Sequence, residues 1–146
     1  MSILALDTDV LVGWLHQESE LHEASRRLIE IELSDDRNRL GLTAQVLFEV
    51  VHVITDPRRF EAPLPIEEAT RLVDMLWQSP DSERVPAPPR ILPRTLELMR
   101  EHRLGRKRIL DTALAATLET AGIRRLATWN PRDYKVFPFL ETIPGA

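Results

Sequence analysis

The chain has 146 residues, 43% of them hydrophobic, enough for one sizeable core and no more than one ordinary domain. Without cysteine it has no disulfide, no thiolate nucleophile and no thiolate-bound zinc, and a net charge of −4 excludes binding of nucleic acid through general positive charge. No run approaches the roughly 18 apolar residues of a membrane span, and no signal-peptide pattern opens the sequence, so a soluble, cytoplasmic protein with no membrane partner is expected.

Residues 3–6 form an apolar run short enough for a buried strand, and Asp7 stands at its C-terminal end. Residues 9–16 read as a short helix with Thr8 or Asp9 as its N-cap. Residues 18–33 carry Leu21, Ala24, Leu28 and Ile31 at helical spacing. The segment "RLGLT" reads as a second strand, and residues 44–55 return to helix. "DPRRFEAPLP" is a turn, and Pro65 is placed to start a helix running to about residue 78. The proline-rich stretch "SPDSERVPAPPRILP" allows at most a short strand inside a loop. Residues 93–102 and 109–121 are helical, and Gly122 ends the second of these. "IRRLAT" is a strand, "WNPRDY" a turn and "FLETI" a last strand. Strands that alternate with helices predict an α/β fold, a three-layer α/β/α domain with a central, mostly parallel sheet. No internal repeat, low-complexity tract or domain boundary is visible.

Four acids fall where such a fold gathers function. Ligands of open α/β sheets bind beyond the carboxyl ends of the strands, where Asp7 stands, although Asp7 would also serve simply as a helix cap. Glu49 lies in "QVLFEVVHVI", a helix apolar on nearly every side, and shares a face with Val46 and Val53. An ion pair with an arginine is the plain alternative. Glu49 and His52 repeat the Glu-x-x-His spacing of di-iron bundles, but a second copy is absent and that reading fails. Asp111 opens the apolar helix "LDTALAATL", where an acid in the first turn also suits the helix dipole. The small Ala115–Ala116 pair lets this helix approach the sheet and brings Asp111 toward Asp7. Asp133 follows a strand through "WNPRD", and Thr128 and Asn130 lie on the same edge, placed to orient water or a ligand. Clustered carboxylates repel one another unless a cation sits among them. Oxygen donors without cysteine or a histidine cluster favour a hard ion, Mg²⁺ or Mn²⁺, and such sites commonly act on phosphates.

The segments "LDTDVLV", the Glu of "VLFEVV", "LDTALAATLETAG" and "LATWNPRDY" occur in an order and context that resemble the PIN-domain ribonucleases, over residues 3 to about 143. Within that group the chain is similar to VapC-type toxins of toxin–antitoxin pairs. The resemblance implies a single PIN-like nuclease domain over residues 1–146 and metal ligation by Asp7, Glu49 and Asp111, with Asp133 as a fourth catalytic acid. It implies a Mg²⁺- or Mn²⁺-dependent endoribonuclease in which a metal-activated water attacks phosphorus, leaving a 5′-phosphate and no cyclic phosphate. It implies a homodimer and a cognate VapB-type antitoxin whose C-terminal segment crosses the acidic groove, docking near residues 44–78. Two positions depart from the family pattern: Asp9 stands where Asn is frequent, and Asn130 where an acid often stands. Whether Asp133 or Asn130 completes the site, and whether one ion or two bind, stays open.

Contacts with RNA are expected from Thr8 beside Asp7, from Thr128 and Asn130, and from Arg106, Lys107 and Arg108 just ahead of Asp111. A solvated charged face is the alternative for the last three. Trp129 is placed either to stack on a base or to pack in its turn. The enzymatic rival is a haloacid-dehalogenase-like phosphatase, with Asp7 as nucleophile and Asp9 as general acid. That family needs a suitably placed lysine, which neither Lys107 nor Lys135 supplies. A non-catalytic PIN-like binding module, or a nuclease without an antitoxin, completes the alternatives.

Overall fold

The computed structural model describes residues 2–145; Met1 and Ala146, the ends of the expected domain, lie outside the described residues. Five strands, β1 (Ser2–Leu6), β2 (Asn38–Thr43), β3 (Ser82–Val85), β4 (Arg125–Ala127) and β5 (Glu141–Ile143), form one sheet in the order β3-β2-β1-β4-β5. Every pairing is parallel. Successive residues of a strand point to opposite faces, and Leu4, Ala5 and Leu6 are all at most 1% exposed, so β1 is covered on both sides. Leu40, Gly41, Leu42 and Thr43 of β2 are likewise all buried. The three-layer α/β architecture expected from the alternating pattern is therefore present.

Six helices supply the cover: α1 (Thr8–Leu15), α2 (His22–Leu33), α3 (Ala44–Ile54), α4 (Ile66–Gln78), α5 (Ile91–Glu101) and α6 (Ile109–Ala121). Single-turn 3₁₀ helices occupy Arg106–Arg108 and Pro131–Tyr134, the second replacing the plain turn expected there. Thr43 caps α3, its hydroxyl accepting the Val46 N–H at 3.2 Å. Gly122, with φ 73°, ends α6 in the left-handed conformation as expected, and the Ile123 N–H reaches back to the Leu118 carbonyl at 2.9 Å. Ala115 and Ala116 are fully buried, which allows the close approach of α6 read from their small size.

Three boundaries differ from expectation. The cap of α1 is Asp7, as the plainer reading of that residue has it; its carboxylate accepts the Thr8 N–H at 2.8 Å, and neither Thr8 nor Asp9 fills that place. Helix α2 starts at His22 because residues 17–21 fold as a turn closed by Ser19 N–H to the His16 carbonyl at 3.1 Å. Helix α5 starts at Ile91, ahead of Pro93. Proline is tolerated in a first turn, whose N–H groups have no helical acceptor.

The strand order places β1 at the reversal. The chain runs outward from β1 to β2 and β3, then crosses back to β4 on the other flank. At this switch point the ladder continues past the strand end, with Asp7 N–H donating to the Ala127 carbonyl at 2.9 Å. Gly41 lets β2 lie close to β1 there, since an added Cβ would stand 2.9 Å from Ile3 Cγ2 and 3.2 Å from Ala5 Cα. Asp7 and the residues after β4 are thereby set side by side at the sheet's carboxyl edge.

Candidate active site

A cleft of about 600 Å³ opens at this edge and is lined by Asp7, Asp9, Glu49, Asp111, Asn130 and Asp133 among others. The four acids proposed from sequence thus reach one concavity from four different elements. Asp7 comes from the end of β1, Glu49 from the middle of α3, Asp111 from the first turn of α6 and Asp133 from the 3₁₀ turn after β4.

Asp7 is the most constrained of them. Its Oδ1 accepts the Thr8 N–H at 2.8 Å, and its Oδ2 accepts from the Thr128 hydroxyl at 2.8 Å and the Tyr134 phenol at 3.1 Å. The phenol oxygen lies also 3.3 Å from Asp111 Oδ1, so one hydroxyl spans two of the acids. Tyr134 is 1% exposed, and burial holds its phenol protonated, well above the ordinary tyrosine range. Across the cleft, the Thr8 hydroxyl reaches Glu49 Oε2 at 3.4 Å.

Asp9 is held from the other side of α1. Its Oδ2 accepts from the Trp129 backbone N–H at 3.0 Å and the Asn130 side-chain amide at 2.9 Å. Its Oδ1 is buried without any partner. A partnerless buried carboxylate oxygen is costly, and a proton or a cation relieves the cost. Burial, with the charge of Asp7 adding to it, pushes the Asp9 carboxyl up to about 7. Asp111 rises to about 6, first through burial and then through the charges of Asp7 and Asp133. Asp7 and Glu49 are also raised by burial, Asp7 against the pull of its own hydrogen bonds. This edge of the sheet carries more negative charge than its own residues neutralise.

Arg108 is the basic residue built into it. Its guanidinium donates to the Asp133 backbone carbonyl, and Nε stands 3.8 Å from Asp111 Oδ2. It ties the 3₁₀ turn to α6 and is engaged within the protein. Arg106 and Lys107 are exposed beside it and stay outside the cleft lining. Thr128 is 1% exposed, and its hydroxyl both donates to Asp7 and accepts the Asn130 N–H at 3.0 Å. It positions Asp7 from within the protein. Trp129 packs: its indole N–H donates to the Ser25 hydroxyl at 3.0 Å.

These motifs match the family model of the PIN domain over residues 4–137. The chain belongs to the PIN domain family. Membership accounts for the carboxylates at the switch point and sets aside the phosphatase alternative, in which Asp7 and Asp9 would have worked as nucleophile and acid. No curated protein sequence matches this PIN chain. Its fold is similar to that of solved structures. One is VapC20 of Mycobacterium tuberculosis, a toxin that cleaves the sarcin–ricin loop, with 13% identity and a TM-score of 0.71 over 92% of this chain and 95% of that one. Another is VapBC2 from Rickettsia felis bound to a DNA fragment from their promoter, with 16% identity and a TM-score of 0.66 over 96% of each chain. A third is a toxin–antitoxin complex from Klebsiella pneumoniae, with 18% identity and a TM-score of 0.60 over 94% of each chain. At these identities the likeness speaks for the fold.

In this arrangement no three His, Asp or Glu side chains of the described residues stand close enough together to hold an ion. The donors nonetheless fit a hard divalent cation in kind. They are all oxygen, they open on one cleft, and the orphaned Asp9 Oδ1 together with the raised carboxyls marks a place short of positive charge. Sequence reasoning missed two members of this PIN site. Tyr134 was visible only as the end of "WNPRDY", and Asp9 as a helix cap, as a departure from the family's Asn and as the acid of the phosphatase alternative. For Asp9 a signal did exist, namely a second acid inside an apolar run.

Proposed function

We propose that this PIN domain is a Mg²⁺- or Mn²⁺-dependent endoribonuclease and the toxin of a toxin–antitoxin pair. The observation that carries the reading is the convergence of Asp7, Glu49, Asp111 and Asp133 on one cleft at the switch point of a PIN fold. Asp7, Glu49 and Asp111 would hold the ion, with Asp133 as the fourth acid. When bound, such an ion supplies an activated water and stabilises charge on the phosphate and the leaving oxygen.

The chain's own groups prepare for that. Thr128, Tyr134 and the Thr8 N–H hold the Asp7 carboxylate in a single orientation, and the shared phenol sets Asp111 beside it. Partners of this kind commonly fix ligand direction in hard-ion sites. Asp133, whose charge is felt at both Asp7 and Asp111, would take a proton from the attacking water. Asn130 is tied to Asp9 and supports α1, which favours Asp133 as the completing acid. Water as the nucleophile leaves a 5′-phosphate; a cyclic phosphate among the products overturns this mechanism.

The partner would be a VapB-type antitoxin, and the working form a homodimer in the cytoplasm. Among the described residues no helix is long and apolar enough to cross a membrane. The antitoxin's docking region would be the apolar groove between α3 and α4, lined by Leu47, Phe48, Val51, Val73 and Trp77. The test is incubation of the purified chain, freed of any partner, with mixed cellular RNA in Mg²⁺ or Mn²⁺ and then in chelator, beside Asp7→Asn. Cleavage that needs metal and is lost in the variant supports the reading. Cleavage that survives both, or none from the wild-type chain on any cellular RNA, sinks it.

A further inference from the structure

The loop between α3 and α4, residues 55–65, forms a wall of the cleft that the acids do not explain. Arg59 and Phe60 both line the cleft, and Arg59 is the only basic residue among the described residues that do. It is exposed and enters no ion pair among the described residues. One face of the Phe60 ring lies against His16, with centroids 3.8 Å apart and planes at 8°. The ring also lines the cleft, so its remaining surface is open to a ligand.

The loop is held far more firmly than a connecting turn requires. His16 is 4% exposed; its Nδ1 accepts the Glu18 N–H at 3.2 Å, leaving Nε2 to donate to the Ala62 carbonyl at 3.1 Å. The Glu18 carboxylate accepts the N–H groups of Glu61 and Ala62 at 2.9 and 2.8 Å. Asp56 accepts the Arg58 N–H on its side chain at 2.8 Å and the Phe60 N–H on its carbonyl at 3.2 Å. Leu64 N–H closes the loop onto the Ile54 carbonyl at 2.9 Å. An exposed loop pinned in this way presents its side chains at fixed places, as a binding subsite needs.

We infer that Phe60 and Arg59 form a nucleotide subsite, in which an unpaired base of the RNA stacks on Phe60 and its phosphate pairs with Arg59. The inference rests on the nuclease reading and says where the substrate strand enters. The acids of the cleft repel a polyanion, so a strand approaching them needs positive charge on the wall, and Arg59 supplies it. An aromatic face beside an arginine fork is the usual chemistry for single-stranded RNA, whose bases are free to stack. The His16 ring behind Phe60 keeps it from turning away. Trp129, engaged with Ser25, does not take this part.

The test is ultraviolet crosslinking of the full chain, freed of any partner, to mixed cellular RNA carrying 4-thiouridine, with the adduct mapped by mass spectrometry. Steady-state cleavage by Phe60→Leu and Arg59→Gln accompanies it. The expected results are an adduct on Phe60 or its immediate neighbours, and a kcat/KM about tenfold lower in each variant through a higher KM. Arg59 is exposed, so its variant keeps the test intact if loss of the His16 stack unfolds the other. A wild-type chain that cuts RNA but crosslinks only elsewhere, with both variants at full kcat/KM, removes the subsite and leaves the nuclease standing. A wild-type chain that neither cuts nor crosslinks RNA removes the nuclease reading and the subsite with it.

Discussion

The two edges of one sheet treat buried acids in opposite ways. At the amino edge, Glu32 at the end of α2 is 8% exposed and meets Arg125 of β4 through two hydrogen bonds, 2.7 and 2.8 Å, while Arg125 also donates to the Ser2 hydroxyl at 2.8 Å. At the carboxyl edge, Asp7, Asp9 and Asp111 open on one cleft with hydroxyls and amides for partners, and the one carboxylate of these that Arg108 approaches is that of Asp111, at 3.8 Å. The first arrangement is complete within the chain and holds the fold. The second is short of cation, and burial disfavours the charged forms of its acids. A difference in partners, on the same scaffold, separates a structural acid from one proposed to be functional.

Breaking the complete pair should have the largest effect. Arg125→Met leaves Glu32 buried and unpaired, and the expected loss is about 3 kcal/mol, seen as a fall in the urea midpoint with an unchanged slope. If stability is unchanged, the amino edge is no anchor and the contrast fails.

The incomplete edge predicts a pH dependence of the metal-free chain. Asp9 and Asp111 ionise near 3.8 when unfolded but near 7 and 6 when folded. Between those values the folded state keeps protons that the unfolded state has lost, so stability falls as pH rises from about 4 to 7. In chelator the melting temperature should therefore be higher at pH 5 than at pH 8. Asp9→Asn keeps an acceptor for Trp129 and Asn130 and should raise stability at pH 8 by about 2 kcal/mol, flattening the profile. A variant less stable than wild type at pH 8 would mean that Asp9 is already neutralised by the chain.

Filling the edge should flatten that profile. Saturating Mn²⁺ is expected to stabilise the chain by about 1.4 kcal/mol at ten times its dissociation constant, and by more at pH 8 than at pH 5, because protons compete for the same oxygens. Equal stabilisation at both values, or in Asp7→Asn, would place the ion elsewhere. The smallest effect on stability belongs to Tyr134→Phe, which removes one hydroxyl and keeps the ring. Mn²⁺ binding measured by calorimetry should weaken about tenfold, with the melting temperature nearly unchanged. Equal affinity would reduce the phenol to packing.

Much of this contrast was legible in the residues. The buried run before Asp7, the proline at the head of α4, the small pair in α6 and Gly122 at its end all act within a few positions of themselves, and they placed the elements to within a few residues. The acids could be read because charge inside an apolar helix or strand end is locally conspicuous. The shared phenol was not legible, since Tyr134 acts on residues 127 and 23 positions away. Nor was the wall of the cleft: "DPRRFEAPLP" reads as a polar turn, and nothing near it announces that Glu18, 43 and 44 positions earlier, holds its backbone. Periodicity reports on neighbours along the chain, whereas these contacts are made by the fold.

The parallel order that sets β1 between β2 and β4 also governs timing. During synthesis Asp7 leaves the ribosome well before Thr128 and Tyr134, which hold its carboxylate and stand 121 and 127 positions later. Until β4 docks against β1, Asp7 has no more than the cap of its own helix to serve. The arrangement around Asp7 is therefore absent until β4 and the turn after it have been made, and a stop before β4 yields a product in which Asp7 lacks both partners.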